Sequence, residues 1–443
     1  MRSKWQFMIT MALILLCTGC NGQKQAANPK PTESPSSGPV SREVLTFRIT
    51  WKTYSGRGEA IKKIVNTYNQ TGNSAYEIQM MDGDEDLDTI ESLLESKDSA
   101  DIYMLPYRFT QYLGYKKKLE DLTADFVDEE PLFYEKMWQL GVVEDKVYGI
   151  PWLGHSMGLI YNKNLLDKAG IDPTKIDNLD KLVAACETIE AKTDAKGIGL
   201  VGADQNDVSW MVNQFVYGFS GKLVNEDGSK VMINSPQAKK AIEFYKNDLG
   251  AHAQDTWRTD TGVEVMNYFR EGKIAFEIQG PWGITDIWKI GNPFEVGVIP
   301  LQNLSLYAEI GPMMLTMRTK LSHQERSAAI DFMRYLISGP AQEMIMDGEY
   351  SPEHDAYYPF RLPVRKDMED NRVFEAYPEF LVFLKEFNQP SIDVPVPLWQ
   401  KIKDKYYAPG LHKVMMGELS IEDFLNEMED EGNKILTDDK EGL

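Results

Sequence analysis

The chain has 443 residues, with 47 Lys and Arg against 68 Asp and Glu and a formal net charge of −21. That length fits two or three domains, or two lobes sharing one chain, and a hydrophobic content of 42% with 11% aromatics excludes global disorder. The acidity speaks against a nucleic-acid partner, because neutralising phosphates needs clustered Lys and Arg, and equally against docking on anionic lipid by charge.

At the start of the chain, Arg2 and Lys4 precede an apolar core, Phe7–Cys17. It is too short to span a membrane and of the right length for the apolar part of a signal peptide. The run Leu16-Cys17-Thr18-Gly19-Cys20 resembles a bacterial lipobox, with Cys17 standing where Leu is usual. The resemblance implies a signal peptide over 1–19 and a lipid (palmitate) on Cys20. The other reading is an ordinary secretory signal cut near Gly19, with Cys20 incidental. Asn21–Arg42 is rich in Pro, Ser, Asn and Gln, and reads as a disordered tether, so that 20–43 forms anchor and tether together. With Cys20 lipidated, Cys186 is left without a disulfide partner. It lies at helical spacing among apolar neighbours and is expected to be a small buried hydrophobe. No later segment approaches 18 apolar residues, so the remainder is expected to be soluble.

From residue 44 strand and helix signals alternate. Val44–Trp51 has the period of two expected of a half-buried strand. Glu59–Tyr68 places Ile61, Ile64, Val65 and Tyr68 on one helical face. Tyr76–Met80 reads as a strand, Ile90–Leu94 as a helix and Asp101–Leu105 as a strand. This βαβ pattern predicts a mostly parallel sheet covered by helices. Gly158–Tyr161 and Gly197–Val201 are further strands around a helix at Leu179–Glu190. Pro236–Leu249 reads as a helix with Ser235 as its N-cap and Pro236 in first position. Ala275–Ile278, Val296–Ile299 and Met313–Met317 are strands; Asp331–Ile337, Phe380–Phe387 and Ile421–Ile435 are helices.

Five segments in order resemble the extracytoplasmic solute-binding proteins of carbohydrate ABC importers, of the maltose-binding-protein type. Tyr148-Gly-Ile-Pro-Trp152 is followed by Gly158–Ile171 (GLIYNKNLLDKAGI), close to that family's GLxYNKxLFxKAGI. Asn234–Tyr245 (NSPQAKKAIEFY), Phe269–Gly283 with its Gly280-Pro-Trp-Gly283, Val296–Leu301, and Ala328–Leu336 with Gly339–Gln342 complete the set. The resemblance runs from about residue 44 to 430. It implies an α/β architecture, a two-lobed periplasmic-binding-protein type II fold with the ligand cleft between the lobes. By the same analogy lobe 1 takes 44–156 plus 299–340 and lobe 2 takes 157–298 plus 341–436, with crossings near Gly154–Leu159 and Val296–Pro300.

Sugar rings present paired hydroxyls and a face of C–H bonds, so their capture needs aromatic faces beside carboxylates, amides or Arg. Trp282, in the Gly-Pro-Trp-Gly turn where the family presents a stacking aromatic, is the leading candidate; filling the core beside a Pro is the other reading. Tyr54 and Arg57 follow the first strand, while Trp51 is expected in the lobe core. Tyr107 and Arg108 follow the third strand, and Asp207 and Trp210 follow the Gly197–Val201 strand. Glu309 and Met313 fall in a stretch matching a family loop that in many relatives carries a Trp missing here. Trp152 is divided between interlobe packing and contact; Trp257 and Trp399 are weaker candidates.

The chain contains no GxGxxG, GxxxxGK[ST], HExxH or GxSxG motif. The acidic run Asp82–Asp88 has Leu87 and Leu93 where an EF-hand needs Gly and Glu, and reads as a solvated loop. No cofactor, metal or enzymatic activity is expected. The sequence therefore predicts a monomeric receptor, lipid-anchored at Cys20 on the extracytoplasmic face of the cell membrane. It would capture a carbohydrate, an oligosaccharide by preference, and deliver it to ABC importer permease subunits by cleft closure. The alternatives are a receptor of the same fold for a non-carbohydrate solute, or a surface glycan sensor or adhesin.

Overall fold

The computed structural model describes residues 42–71, 75–83, 86–388, 391–392 and 396–441. The expected signal peptide, Cys20 and nearly all of the tether lie outside the described residues. Two sheets organise the chain. In the first, Glu43–Arg48 lies between Tyr76–Met81 and Ile102–Pro106 and runs parallel to both. Ala308–Met317 adds antiparallel to Ile102–Pro106, pairs antiparallel with Ile150–Ser156, and meets Ser391–Ile392 in parallel. The second sheet runs in the order Val296–Ile299, Gly158–Asn162, Ile274–Gln279, Lys196–Gly199, and only its last pair is parallel. The parallel pairing expected from the βαβ run holds for its three strands, while the later strands add antiparallel pairs in both sheets. Ile150–Ser156 and Gly158–Asn162 are separated by Met157 alone, so the chain leaves one sheet and enters the other directly, and its strands arrive against the βαβ direction. The return passes through Val296–Ile299 and the short turn Leu301–Leu304 into Ala308–Met317.

Most elements follow from local chemistry. Helix Gly56–Thr71 buries Ile61, Ile64, Val65 and Tyr68, the face set by their spacing, and each such side chain is worth about 1.5–3 kcal/mol when fully withdrawn from water. Ser235 Oγ accepts from Ala238 N at 3.2 Å and Pro236 opens the helix, which continues past Glu243 into a wider π turn, Phe244–Leu249. Ala308–Met317 is a strand buried along its whole length, so the loop expected at Glu309–Met313 is replaced by a strand. Its neighbours on both sides explain this: Pro312 faces Gly154, and the register shifts by a bulge between Met313 and Met314.

One cluster of buried side chains gathers Leu45, Phe47, Ile61, Ile102, Trp152 and Phe332 around the first sheet; Ala341, Ile345, Phe360 and Val364 pack there too. A second gathers Ile160, Cys186, Ile198, Phe276 and Ile284 around the other sheet. Cys186 is buried, and its side chain fills the space a Cβ on Gly197 would need. Trp152, Trp257 and Trp399 are fully buried core residues. In the acidic run, Asp82 accepts from Thr53 N at 2.7 Å and Asp86 caps helix Leu87–Glu95 through Thr89 N at 2.8 Å; residues 84–85 are outside the described residues.

Glu277, on the strand Ile274–Gln279, is wholly buried, and neither carboxylate oxygen has a hydrogen-bond partner among the described residues. Burial, reinforced by the negative charge of Asp286, pushes its pKa from 4.5 up to about 8. The folded state therefore holds Glu277 protonated, and the stability this contributes is complete below about pH 4.5 and lost as pH rises through about 8. Glu277→Gln is expected to melt a few degrees above wild type at pH 8.5, with the difference vanishing near pH 4.5, as followed by scanning calorimetry.

Candidate ligand cleft

A cavity of about 700 Å³ is lined by residues carried on both sheets, within the size range of small-molecule sites. From the first sheet come Trp51, Arg57, Tyr107, Arg108, Glu309 and Met313; from the second come Asp207, Trp210, Gln279 and Trp282. Eight of the twelve candidates named from sequence are thus brought together, and Trp152, Trp257 and Trp399 lie in the core instead. Tyr54 is not brought in either: it is 74% exposed and lies outside the lining.

Several lining residues sit close to where a strand gives way to a helix, while Glu309 and Met313 lie within the strand Ala308–Met317. Tyr107 and Arg108 open helix Tyr107–Tyr115 directly after Ile102–Pro106. Asp207, Trp210 and Met211 share one face of helix Asn206–Gly218, which places Asp207 in its first turn. Asp207 Oδ2 accepts from Gly262 N, the first residue of helix Gly262–Arg270, at 3.0 Å. Its burial raises the carboxyl pKa, and that hydrogen bond opposes the rise.

The Gly280-Pro-Trp-Gly segment starts a helix, Pro281–Lys289, with Gly280 as its N-cap. A Cβ on Gly280 would lie 2.2 Å from Trp282 Cζ3, so only glycine lets the indole fold back across its own cap. Trp282 is 9% exposed. The Arg361 guanidinium sits 4.3 Å from its ring centroid and the His155 ring meets it edge-on at 5.5 Å. Trp51 is half-buried at the cavity, where Arg57 and Arg361 lie 5.4 and 5.2 Å from its ring; it packs against the first-sheet core, as expected, and reaches the cleft edge as well. Trp210, also half-buried, packs beside His155.

At the floor, Arg108 Nη2 donates to Glu309 Oε1 at 2.8 Å, with both side chains about 5% exposed or less. Glu309 also accepts from Asn213 Nδ2 at 3.5 Å, and Tyr407 OH donates to Asn213 Oδ1 at 2.7 Å. Burial, with Arg361 and Arg108 nearby, holds the His155 pKa down at about 3, so its ring is neutral at physiological pH. Sequence reasoning missed His155, Arg361, Gln400 and Lys403, all of which line the cavity. Lys403 begins a π turn, Lys403–Tyr407, inserted between helices Trp399–Ile402 and Ala408–Met416; Pro409 has no N–H to give the preceding turn. Lys403 donates to Asn206 Oδ1, and burial together with the Arg108 charge lowers its pKa to about 7. Among the described residues no cluster of three or more His, Cys, Asp or Glu is placed to hold a metal ion.

Residues 63–382 match the family of bacterial extracellular solute-binding proteins, and the chain belongs to that family. It is 26% identical over 289 residues to the maltodextrin-binding protein of Bacillus subtilis, covering 63% of this chain and 66% of that protein. It is 30% identical over 158 residues to a putative binding protein of Brucella abortus, a match spanning 34% of this chain and 36% of that relative's length. Among solved structures, a solute-binding protein of an ABC transporter from Thermotoga lettingae, bound with α-D-tagatose, superimposes with a TM-score of 0.75 at 20% identity, covering 89% of this chain and all of that one. The fold is that of the two-lobed periplasmic solute-binding proteins. No described helix is long and apolar enough to cross a membrane.

Gly280→Ala is expected to expel Trp282 from its position at a cost of about 1–3 kcal/mol. A changed near-ultraviolet circular dichroism spectrum with a lowered melting temperature would register it, and an unchanged aromatic spectrum would refute it.

Proposed function

We propose that the protein is an extracytoplasmic receptor, anchored by a lipid on Cys20, that captures a carbohydrate between two lobes and delivers it to an ABC importer without chemically altering it. The observation that carries this reading is the cavity itself, in which three indoles from both sheets converge with Asp207, Glu309, Arg57 and Gln279. Indole faces complement sugar C–H surfaces, and the carboxylates, guanidinium and amide complement paired hydroxyls. The maltodextrin-binding relative and the tagatose-bound neighbour support the same class of ligand. Delivery then follows from closure, which a ligand drives only by binding the closed form more tightly than the open one.

The lobe division we propose is 44–156 plus 299–340 against 157–298 plus 341–436, amended by the packing of Ala341, Ile345, Phe360 and Val364 beside the first sheet. With that packing, the first lobe takes 341–364 as well.

Intrinsic Trp fluorescence of the tether-free protein, titrated with an oligosaccharide panel and with spermidine, peptide and phosphate-ester controls, tests the reading. A saturable shift with one saccharide class is expected, and silence for every saccharide would overturn it. Trp282→Ala and Trp210→Ala should each weaken binding of that saccharide tenfold or more, about 1.4 kcal/mol. Cys20→Ala should move the protein from the membrane fraction to the medium, and continued attachment would sink the anchor assignment.

A further inference from the structure

Arg361 is a cavity residue whose charge no carboxylate pairs among the described residues. It is 6% exposed, and the guanidinium lies between Trp282 and Trp51, 4.3 and 5.2 Å from their ring centroids. Its Nη1 donates to its neighbour's carbonyl, Phe360 O, at 2.9 Å, while Nε has no hydrogen-bond partner among the described residues. No carboxylate among the described residues comes within ion-pair distance of it. The nearby carboxylate Glu349 is already shared by Arg57, at 3.1 Å, and Lys289. Asp286, whose negative charge is also felt at Arg361, faces Arg270 at 3.8 Å. Elsewhere in the cavity Glu309 is held by Arg108 and Asp207 by the amide of Gly262.

A buried charge normally has a partner, because removing it from water costs several kcal/mol that attraction to a counter-ion must offset. Burial and the neighbouring Arg57 push the Arg361 pKa well below its ordinary value. Arginine does not give up its proton in proteins, so that strain expresses itself as demand for an anion. The two indole faces offset part of the cost, since a cation over an indole is attracted by the ring's negative face. With Nη1 already donating to Phe360 O, they leave the Nε N–H unserved. The edge formed by Nε and Nη2 is the one that takes a carboxylate side-on through two parallel hydrogen bonds.

We propose that the ligand is an acidic saccharide whose uronate carboxylate pairs with the Nε edge of Arg361, while its neighbouring ring packs against the indoles. This rests on the carbohydrate-receptor reading above and names the substrate class of that same cleft. The chain's net charge of −21 does not oppose it: exposed charges are screened over about 8 Å at physiological ionic strength, whereas a buried pair is screened much less.

The test is calorimetric titration of the mature protein at pH 7 with galacturonate and glucuronate oligosaccharides. Each is compared with its carboxyl-reduced neutral counterpart and with a sugar phosphate. At least one uronate is expected to bind tenfold or more tightly than its reduced counterpart, and Arg361→Gln to bring that ratio close to one. Should Arg361→Gln fail to fold, the wild-type ratio decides the matter, with Arg361→Lys as the second variant: an ammonium cannot reproduce the side-on pair, so the ratio should fall there too. Binding of neutral saccharides with no uronate preference would overturn this proposal and leave the receptor reading standing, as would a preference for the phosphate over every uronate. A uronate preference that survives in Arg361→Gln would remove Arg361 from the role. Silence toward neutral and acidic saccharides alike would overturn the receptor reading, and this proposal with it.

Discussion

A buried ion pair, Arg108 with Glu309, sits where the two sheets face one another, and much of the cleft is arranged around it. Taking two charges out of water is costly, and the carboxylate side offsets part of that cost because its second oxygen also finds a partner. Glu309 reaches Asn213, and Asn213 is held by Tyr407, so one carboxylate ties the strand Ala308–Met317 to helix Asn206–Gly218 and to the C-terminal helices. Loss of either partner would leave an uncompensated charge, a defect of about 3–5 kcal/mol in buried pairs. The pair therefore constrains the relative placement of the elements that supply Tyr107, Trp210 and Lys403.

Around that floor the walls are set by backbone economy. Met157 alone separates the last strand residue of one sheet from the first of the other. Lining residues such as Tyr107, Arg108 and Trp282 then fall just past strand ends, where helices begin and side chains converge from both sides. Gly280 adds a local device of the same kind, with the absence of a Cβ serving as the space in which Trp282 lies.

Much of this was legible in the sequence, because period and punctuation are local properties. The buried face of Gly56–Thr71, the Ser235 cap and the strand Val296–Ile299 all follow from spacing and capping chemistry. The Gly-Pro-Trp-Gly motif pointed to Trp282, and position after a readable strand pointed to Asp207 and Arg108. What escaped was non-local. Arg361 and Lys403 belong to segments with no motif, delivered to the cleft by tertiary packing: Leu362 pairs with Gly154, which draws the Phe360–Val364 stretch to the first sheet. The alternation of Phe360, Leu362 and Val364 was a usable signal, placing Arg361 on the opposite side of an extended segment. The stretch Glu309–Met313 misled in the other direction, since its resemblance was to a family loop, whereas two flanking strands hold it in a sheet.

Lys403, whose ammonium titrates near 7, gives the cleft a proton inventory. With its pKa lowered to about 7 by burial and the Arg108 charge, it responds to the charge of whatever enters. A solute carrying negative charge draws a proton in from the medium, and an uncharged one that excludes water drives a proton out, because burial without a counter-charge disfavours the ammonium. The heat of capture would then contain the ionisation enthalpy of the buffer, with opposite sign for the two kinds of solute. The electrical character of a cargo would thus be written in the protons exchanged on binding as well as in its affinity.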